Sequence, residues 1–473
     1  MSEKPDTVIA TDDLHYIYLV MKAVLADAFN LLEPHYRGVD YAYDLATLYK
    51  RCFSEGIGFA TVTLPSFMNE FLLYLEGGEP TFPSFKLQKG KRLPHFLRGL
   101  TDLVVSRGEV QHLALHMIYM LCVSFKKLKG EYKQSVLSNE IDKLIKTDER
   151  LGLINFQNYS TILNRAKAYI DEIFQSVDLN LLKPKPGPGA VNTPVKSHLR
   201  YEPHVRYAQL EDSFHYPFWF YTNVHGFKSS VRNYMRLKKR IYPKSRFKFV
   251  HKYANKPRGI CIEQNETQYL QQGLKNLLYT TIQNHPMTRG RVNFTHQTVN
   301  QELALLSSSD GTFCTIDMSE GSNRVARDLV FRFFRDTQIF AMLDAVSTRI
   351  IEFKDPAYKR ADLLVNMFAP MGSAVCFPIM SVVHFALCKA IIVSSHRANA
   401  KEASKKVFVY GDDILLPSEY TELIYDMLPK FGMKINTTKS YYKSSFRESC
   451  GVHAYAGHNI TPVYNNYTLN VKS

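Results

Sequence analysis

Apolar residues return every three or four positions through most of the first 180 residues, a spacing that gathers them on one face of a helix. It predicts amphipathic helices over 11–32, 39–55, 100–126, 136–147 and 160–176. Between them, residues 85–99 are basic and broken by Pro94; they read as a solvated loop, with a phosphate-facing surface as the alternative. Proline and glycine crowd 183–196, which marks a linker or an extended crossing segment. After Gly311 the period changes, and short β-prone runs alternate with helical stretches in an α+β pattern. Residues 313–316 read as a strand ending in Asp317, with a helix beginning near Ser322. Apolar runs at 407–410 and 414–416 flank Gly411-Asp412-Asp413 and stop at Pro417, which predicts a β-hairpin buried on both faces. The longest apolar run, 376–393, is interrupted by His384 and Lys389 and reads as a buried helix rather than a membrane span. The chain thus divides into a helical region 1–182, a basic region 183–300, an α+β region 301–464 and a short tail 465–473.

Composition narrows the class of partner. A chain of 473 residues, 45% hydrophobic, can bury two or three domain cores. Its 59 Lys and Arg against 44 Asp and Glu leave a net charge of +15, which suits a polyanion, and 29 Tyr and 30 Phe offer surfaces for stacking bases. The positive charge is densest over 227–258. The seven cysteines are scattered without a Cys-x-x-Cys pair, so neither a zinc site nor a disulfide framework is expected, and a reducing cytoplasm fits. The first residues carry no apolar signal core.

The candidate chemistry begins at the hairpin. Two adjacent aspartates repel, so a rigid Gly-Asp-Asp turn calls for a cation or for solvent screening. Alone, the tripeptide reads as a solvated turn. Asp317 changes that reading, because a carboxylate at a strand end 95 residues before Asp412 can meet the turn through a sheet. Carboxylates so placed are the parts of a site for two Mg²⁺ ions about 4 Å apart, clamping the attacking and leaving oxygens of phosphoryl transfer. Mn²⁺ is an alternative. Asp412 is expected to bridge both metals with Asp317, and Asp413 to lie more peripherally.

Three further segments supply candidate substrate contacts. Met371-Gly372-Ser373 reads as a loop before the apolar helix; Gly372 permits close backbone approach and the Ser373 hydroxyl is a partner for a ribose or phosphate. Lys252, Lys256 and Arg258 precede a short strand, 259–262, and Glu263. Such cations can clamp a triphosphate while the acid holds an arginine, although a charge run by itself is a solvated face. Lys434 and Lys439 follow the hairpin, and Lys439 is the choice for a general acid at the leaving pyrophosphate.

The succession of these pieces resembles the palm of viral RNA-directed RNA polymerases, and more narrowly the replicase β-subunit of the single-stranded RNA bacteriophages, the levivirus group. The resemblance covers about 185–464 and rests on GPGA (187–190), KPRGICIEQNETQYLQQG (256–273), HQTVNQELA (296–304), PMGSAVCFP (370–378), VYGDD (409–413) and FRESCGVHAYAGHNITPVY (446–464). Residues 1–182 match loosely. It implies a right-hand α+β polymerase: a palm with an antiparallel sheet over 301–464, fingers over 183–300, and a helical N-terminal region. It also implies an RNA template, ribonucleoside triphosphates, Mg²⁺, host elongation factors Tu and Ts with a ribosomal protein, and action in the cytoplasm of a bacterial host. By resemblance Ser373 and Asn323 face the incoming ribose, and 446–464 forms a hairpin gripping the primer strand.

Three departures stand out. Asn323 occupies the place of a second aspartate, and Met380 that of a glutamate. A thumb after the last hairpin is short or missing, so the N-terminal region or another chain is expected to supply it, or the replicase is shortened. A reverse transcriptase and a catalytically impaired RNA-binding subunit are the alternatives. The glycine before Asp412 and the FRESCG segment speak against the first, whereas Asn323 and Met380 motivate the second.

Overall fold

A computed structural model of the protein describes residues 11–32, 40–221 and 224–465. Its apolar side chains gather into two large cores and a small satellite, with helices packed around short, mostly antiparallel sheets.

The first core belongs to an N-terminal lobe of five helices, Thr11–Leu32, Tyr41–Glu55, Leu64–Leu75, Arg98–Val105 and Gln111–Val123. The expected helix over 100–126 is in fact two. Arg107 takes a left-handed conformation with φ 55°, beside Gly108, and this breaks the 3.6-residue path. Leu64–Leu75 was not among the expected helices; its Pro65 sits in the first helical turn, where a missing N–H costs nothing. Position 39 of the second expected helix lies outside the described residues. The expected loop over 85–99 is found up to Leu97, and Arg98 and Gly99 already belong to the helix Arg98–Val105.

The second core surrounds the helix Cys376–Ser394, which is long and apolar enough to cross a membrane but lies almost wholly buried within the protein. The helices Gln134–Gly152, Ser160–Phe174 and Asn265–Asn284 pack into the same core. The cores therefore do not divide at residue 182. The helices Gln134–Gly152 and Ser160–Phe174, which precede residue 182, join the second core rather than the first. Of the two readings of the Pro-rich stretch 183–196, the extended crossing segment is the one found, lying along Asn265–Asn284: Lys185 N donates to Tyr269 O at 3.3 Å and Asn192 N to Glu263 O at 2.8 Å.

The central sheet has three antiparallel strands, with Asp413–Pro417 between Phe313–Asp317 and Phe408–Tyr410. A second hairpin pairs Lys244–Tyr253 with Lys256–Ile262, and a third pairs Phe446–Ser449 with Val452–Tyr455. This third hairpin and its surroundings send Tyr441, Phe446, Tyr455 and Ile460 into the core of the N-terminal lobe.

Candidate active site

The Gly-Asp-Asp turn is tighter than its sequence suggested. Asp413 already belongs to the second strand, so Gly411 and Asp412 alone form the turn. Gly411 takes φ 67°, and a Cβ there would run into the Phe377 ring, so the position demands glycine twice over. Its N–H donates to Ser381 Oγ at 3.1 Å, and its carbonyl lies 2.9 Å from His384 Nδ1. The apolar helix thus fixes the turn from behind. Antiparallel register places Asp413 directly opposite Asp317, and Met318 N donates to the Asp412 carbonyl at 3.1 Å.

Asp317 and Asp412 face a cavity of about 530 Å³. Lys252, Lys256, Arg258, Asn323, Gly372, Ser373 and Lys439 line the same cavity, so nine of the eleven site residues expected from sequence converge on one space. Strand periodicity explains part of this: Lys256 and Arg258 are two apart and share a face of their strand. Ser373 is buried, and its Oγ has no hydrogen-bond partner within the protein. Asn323 Oδ1 accepts from Ser322 Oγ at 3.3 Å and lies 3.5 Å from Met371 N.

The cavity gathers carboxylates and cations close enough to act on one another. Burial pushes the Asp317 carboxyl up to about 6; the charge of Asp412 adds to this, while Lys439 and the Asn436 amide, donating at 2.6 Å, oppose it. Burial, then the charges of Asp412 and Asp317, push Asp413 up to about 8. Burial and the neighbouring Arg258 and Lys439 push the Lys252 ammonium down.

Two expected residues lie elsewhere, and one expected arrangement is not assembled. Glu263 holds no arginine: it is buried in the second core, accepting from the hydroxyls of Ser245 and of Thr348, the latter at 2.7 Å, and burial raises its carboxyl. Asp413 does not line the cavity, and its Oδ2 accepts from Cys450 N at 3.2 Å. Consequently no group of three His, Cys, Asp or Glu side chains stands ready to hold a metal among the described residues. The pair Asp317 and Asp412 does fit Mg²⁺, which takes one or two carboxylates and completes its octahedron with water and substrate phosphates. The helix expected near Ser322 is a short 3₁₀ turn, Gly321–Arg324, and the α-helix begins at Arg327.

Sequence reasoning missed Asn436, Glu448 and Lys126. Glu448, its side chain 17% exposed, lies 3.2 Å from Lys439 Nζ and 3.8 Å from His453 Nε2. Burial alone would raise its carboxyl, but Lys439, His453 and Lys126 outweigh that and hold it at about 2. Reciprocally, Glu448 holds the Lys439 ammonium well above its usual range. The one available signal was a charged pair, Arg447-Glu448, inside a strand-like run.

Gly372 serves a close approach to the chain's own strand. At φ 116°, any Cβ would overlap the carbonyl oxygen of Cys261, whose N–H donates to Met371 O at 2.7 Å. Gly372→Ala is expected to cost about 3 kcal/mol in urea denaturation. Gly130→Ala, where a Cβ meets nothing within 4 Å, serves as the control and should change stability by less than about 0.5 kcal/mol.

Comparison with known proteins places this geometry. A model of the family described as RNA replicase, beta-chain, matches residues 217–472. The chain is 29% identical over 209 residues to the RNA-directed RNA polymerase beta chain of Escherichia phage MS2, covering 44% of this chain and 35% of the relative. It is 28% identical over 208 residues to the beta chain of Enterobacteria phage fr, with the same shares. Against the RNA-directed RNA polymerase subunit beta of Escherichia virus Qbeta it is 26% identical over 226 residues, 47% of this chain and 36% of the relative. It thus spans little more than a third of the length of these curated relatives. The matched region holds the Gly-Asp-Asp turn and the cavity's Asp317, Lys252, Lys256, Arg258 and Lys439, and it makes up more than half of the sequence: the chain belongs to the RNA replicase beta-chain family.

Proposed function

We propose that the cavity performs template-directed nucleotidyl transfer, in which the 3′-hydroxyl of an RNA strand attacks the α-phosphorus of a ribonucleoside triphosphate and pyrophosphate leaves. The observation that carries this reading is the convergence of Asp317 and Asp412 with Lys252, Lys256, Arg258 and Lys439 on one cavity. Carboxylates suit divalent cations and clustered ammonium and guanidinium groups suit a triphosphate. In this reading the central sheet is the palm of a right hand, 183–300 forms the fingers, and the N-terminal lobe stands in the thumb's place against the C-terminal hairpin.

Asp317 and Asp412, with Asp413 behind them, would hold Mg²⁺ or Mn²⁺, which lowers the pKa of the 3′-hydroxyl and neutralises charge in the transition state. Lys252, Lys256 and Arg258 bind the triphosphate. The free Ser373 hydroxyl receives the ribose, and Asn323 braces the loop that carries it. Lys439 neutralises the leaving pyrophosphate; its pairing with Glu448 keeps it charged and makes it a reluctant proton donor, so its contribution is mainly electrostatic. The setting is the interior of a bacterial host, with the translation factors that the resemblance implies as partners.

The test is incorporation of labelled nucleotide on an RNA template, with ribonucleotides or deoxyribonucleotides, with Mg²⁺ or with chelator. Mg²⁺-dependent incorporation of ribonucleotides is expected. Preference for deoxyribonucleotides would make the protein a reverse transcriptase, and RNA binding without incorporation would make it a binding subunit.

A further inference from the structure

Lys126 belongs to the N-terminal lobe, just past the helix Gln111–Val123 and far outside the region 217–472 that the family match covers. It nevertheless lines the cavity that holds Asp317 and Asp412. Its ammonium lies 5.0 Å from the centre of the Tyr253 ring, and that of Lys252 lies 5.4 Å from the same ring, so one aromatic side chain serves two cations. The groups facing Lys126 are Lys127, Lys252, Lys439, Glu448 and Tyr253. The one carboxylate among them, Glu448, is engaged with Lys439 at 3.2 Å. No acid lies within ion-pair distance of Lys126 or Lys252 among the described residues.

The position of Lys126 is fixed from two sides. Tyr132, six residues on, places its hydroxyl 2.8 Å from His251 Nδ1 and donates to Tyr253 O at 2.8 Å. On the lobe's other flank, the Glu76 carboxylate accepts from the N–H groups of Tyr442, Lys443 and Ser444 at 3.1, 2.9 and 3.0 Å. The lobe is thus bolted to both the basic hairpin and the segment that follows Lys439. Half-buried ammonium groups that outnumber the acid beside them store repulsion that an anion between them would relieve. In line with this, burial and then Lys439 push Lys126 down to about 8.

We propose that Lys126 is a substrate-binding residue that pairs with a phosphate group in the cavity, so that the N-terminal lobe forms part of the substrate site. The identity of that phosphate as a nucleotide's or a nucleic acid's rests on the polymerase reading above; the site itself does not. Two sources share the chemistry: a triphosphate and the backbone of an RNA strand.

The experiment uses the full chain with chelator present, so that binding is read apart from catalysis. Wild type, Lys126→Met and Lys126→Arg are titrated with inorganic triphosphate and with a fluorescein-labelled single-stranded RNA. K126M is expected to weaken at least one probe by about tenfold or more, and K126R to stay within about threefold of wild type. Loss confined to triphosphate assigns the nucleotide's phosphates, and loss confined to RNA assigns the backbone. Methionine keeps the stem against Tyr253 and removes a repelling charge, so the melting temperature is expected to hold or rise. Unchanged binding of both probes by K126M, or no binding of either by wild type, overturns the proposal. So does a lowered melting temperature with unchanged binding per folded molecule, which marks a purely structural role. Wild type that shows Lys126-dependent binding but incorporates no nucleotide sinks the polymerase reading and leaves the phosphate site standing.

Discussion

Asp412→Asn is expected to abolish nucleotide incorporation, lowering it by at least about a thousandfold, while RNA affinity stays within about twofold of wild type. The substitution changes charge and little else. Asp412 is exposed at the tip of the turn, and it is the backbone that ties the turn down, through Met318 N, Ser381 Oγ and His384. Asparagine preserves that backbone and the side chain's shape but removes one of the two aspartates facing the cavity. It also relieves the repulsion that helps push Asp413 and Asp317 up, so the melting temperature is expected to hold or rise. RNA affinity depends on the basic excess of the chain, which gains one unit of positive charge. A loss of incorporation smaller than about tenfold, with the fold intact, would remove Asp412 from the chemistry.

Glu448→Gln is expected to destabilise the protein by about 3 kcal/mol at neutral pH. The carboxylate is the counter-charge to Lys439, and glutamine leaves the Lys439 ammonium without its partner. The pH dependence follows from the direction of the shift. The native carboxyl sits at about 2, below its ordinary 4.5, so its contribution is fully present above pH 4.5 and is lost as the pH falls toward 2. Urea denaturation of wild type and variant across that range should therefore show their difference shrinking as acid is added. A difference that stays constant from pH 5 to pH 2.5 would reject the pairing. Displacement of Lys439 should lower incorporation as well, to an extent that Lys439→Ala reproduces.

The parts of the site that sequence made legible are those fixed by local rules. The turn announces itself because two apolar runs flank a Gly-Asp pair, and the Asp317 strand because its apolar residues end abruptly in an acid. The helix Cys376–Ser394 is apolar on all sides, as a helix with no solvent face must be. What escaped depends on partners remote in the chain. Glu263 looked like an arginine holder because Arg258 is five residues away, but its partners are Ser245 and Thr348. Lys126 reaches the cavity only through the packing of one lobe on the other, and Asn436 through backbone pairing with the distant Asp317 strand, and no local period records either. The broken helix at Arg107 turns on a left-handed non-glycine residue, for which the sequence carries no reliable mark. Proline marked 183–196 without deciding between a linker and a crossing segment, and only the hydrogen bonds to Tyr269 and Glu263 show the packed crossing.

The core of the N-terminal lobe is closed by Phe446, Tyr455 and Ile460. About 320 residues separate Leu128, the last of the lobe's own buried apolar residues, from Phe446. A ribosome adding roughly 5–20 residues per second leaves that interval open for about 15–60 s. During this time the nascent lobe lacks part of its interior and presents an apolar seam. Co-translational folding therefore has to wait for the final strands, and truncation shortly before Phe446 should yield a chain that sticks to chaperones while most of its helices are already formed.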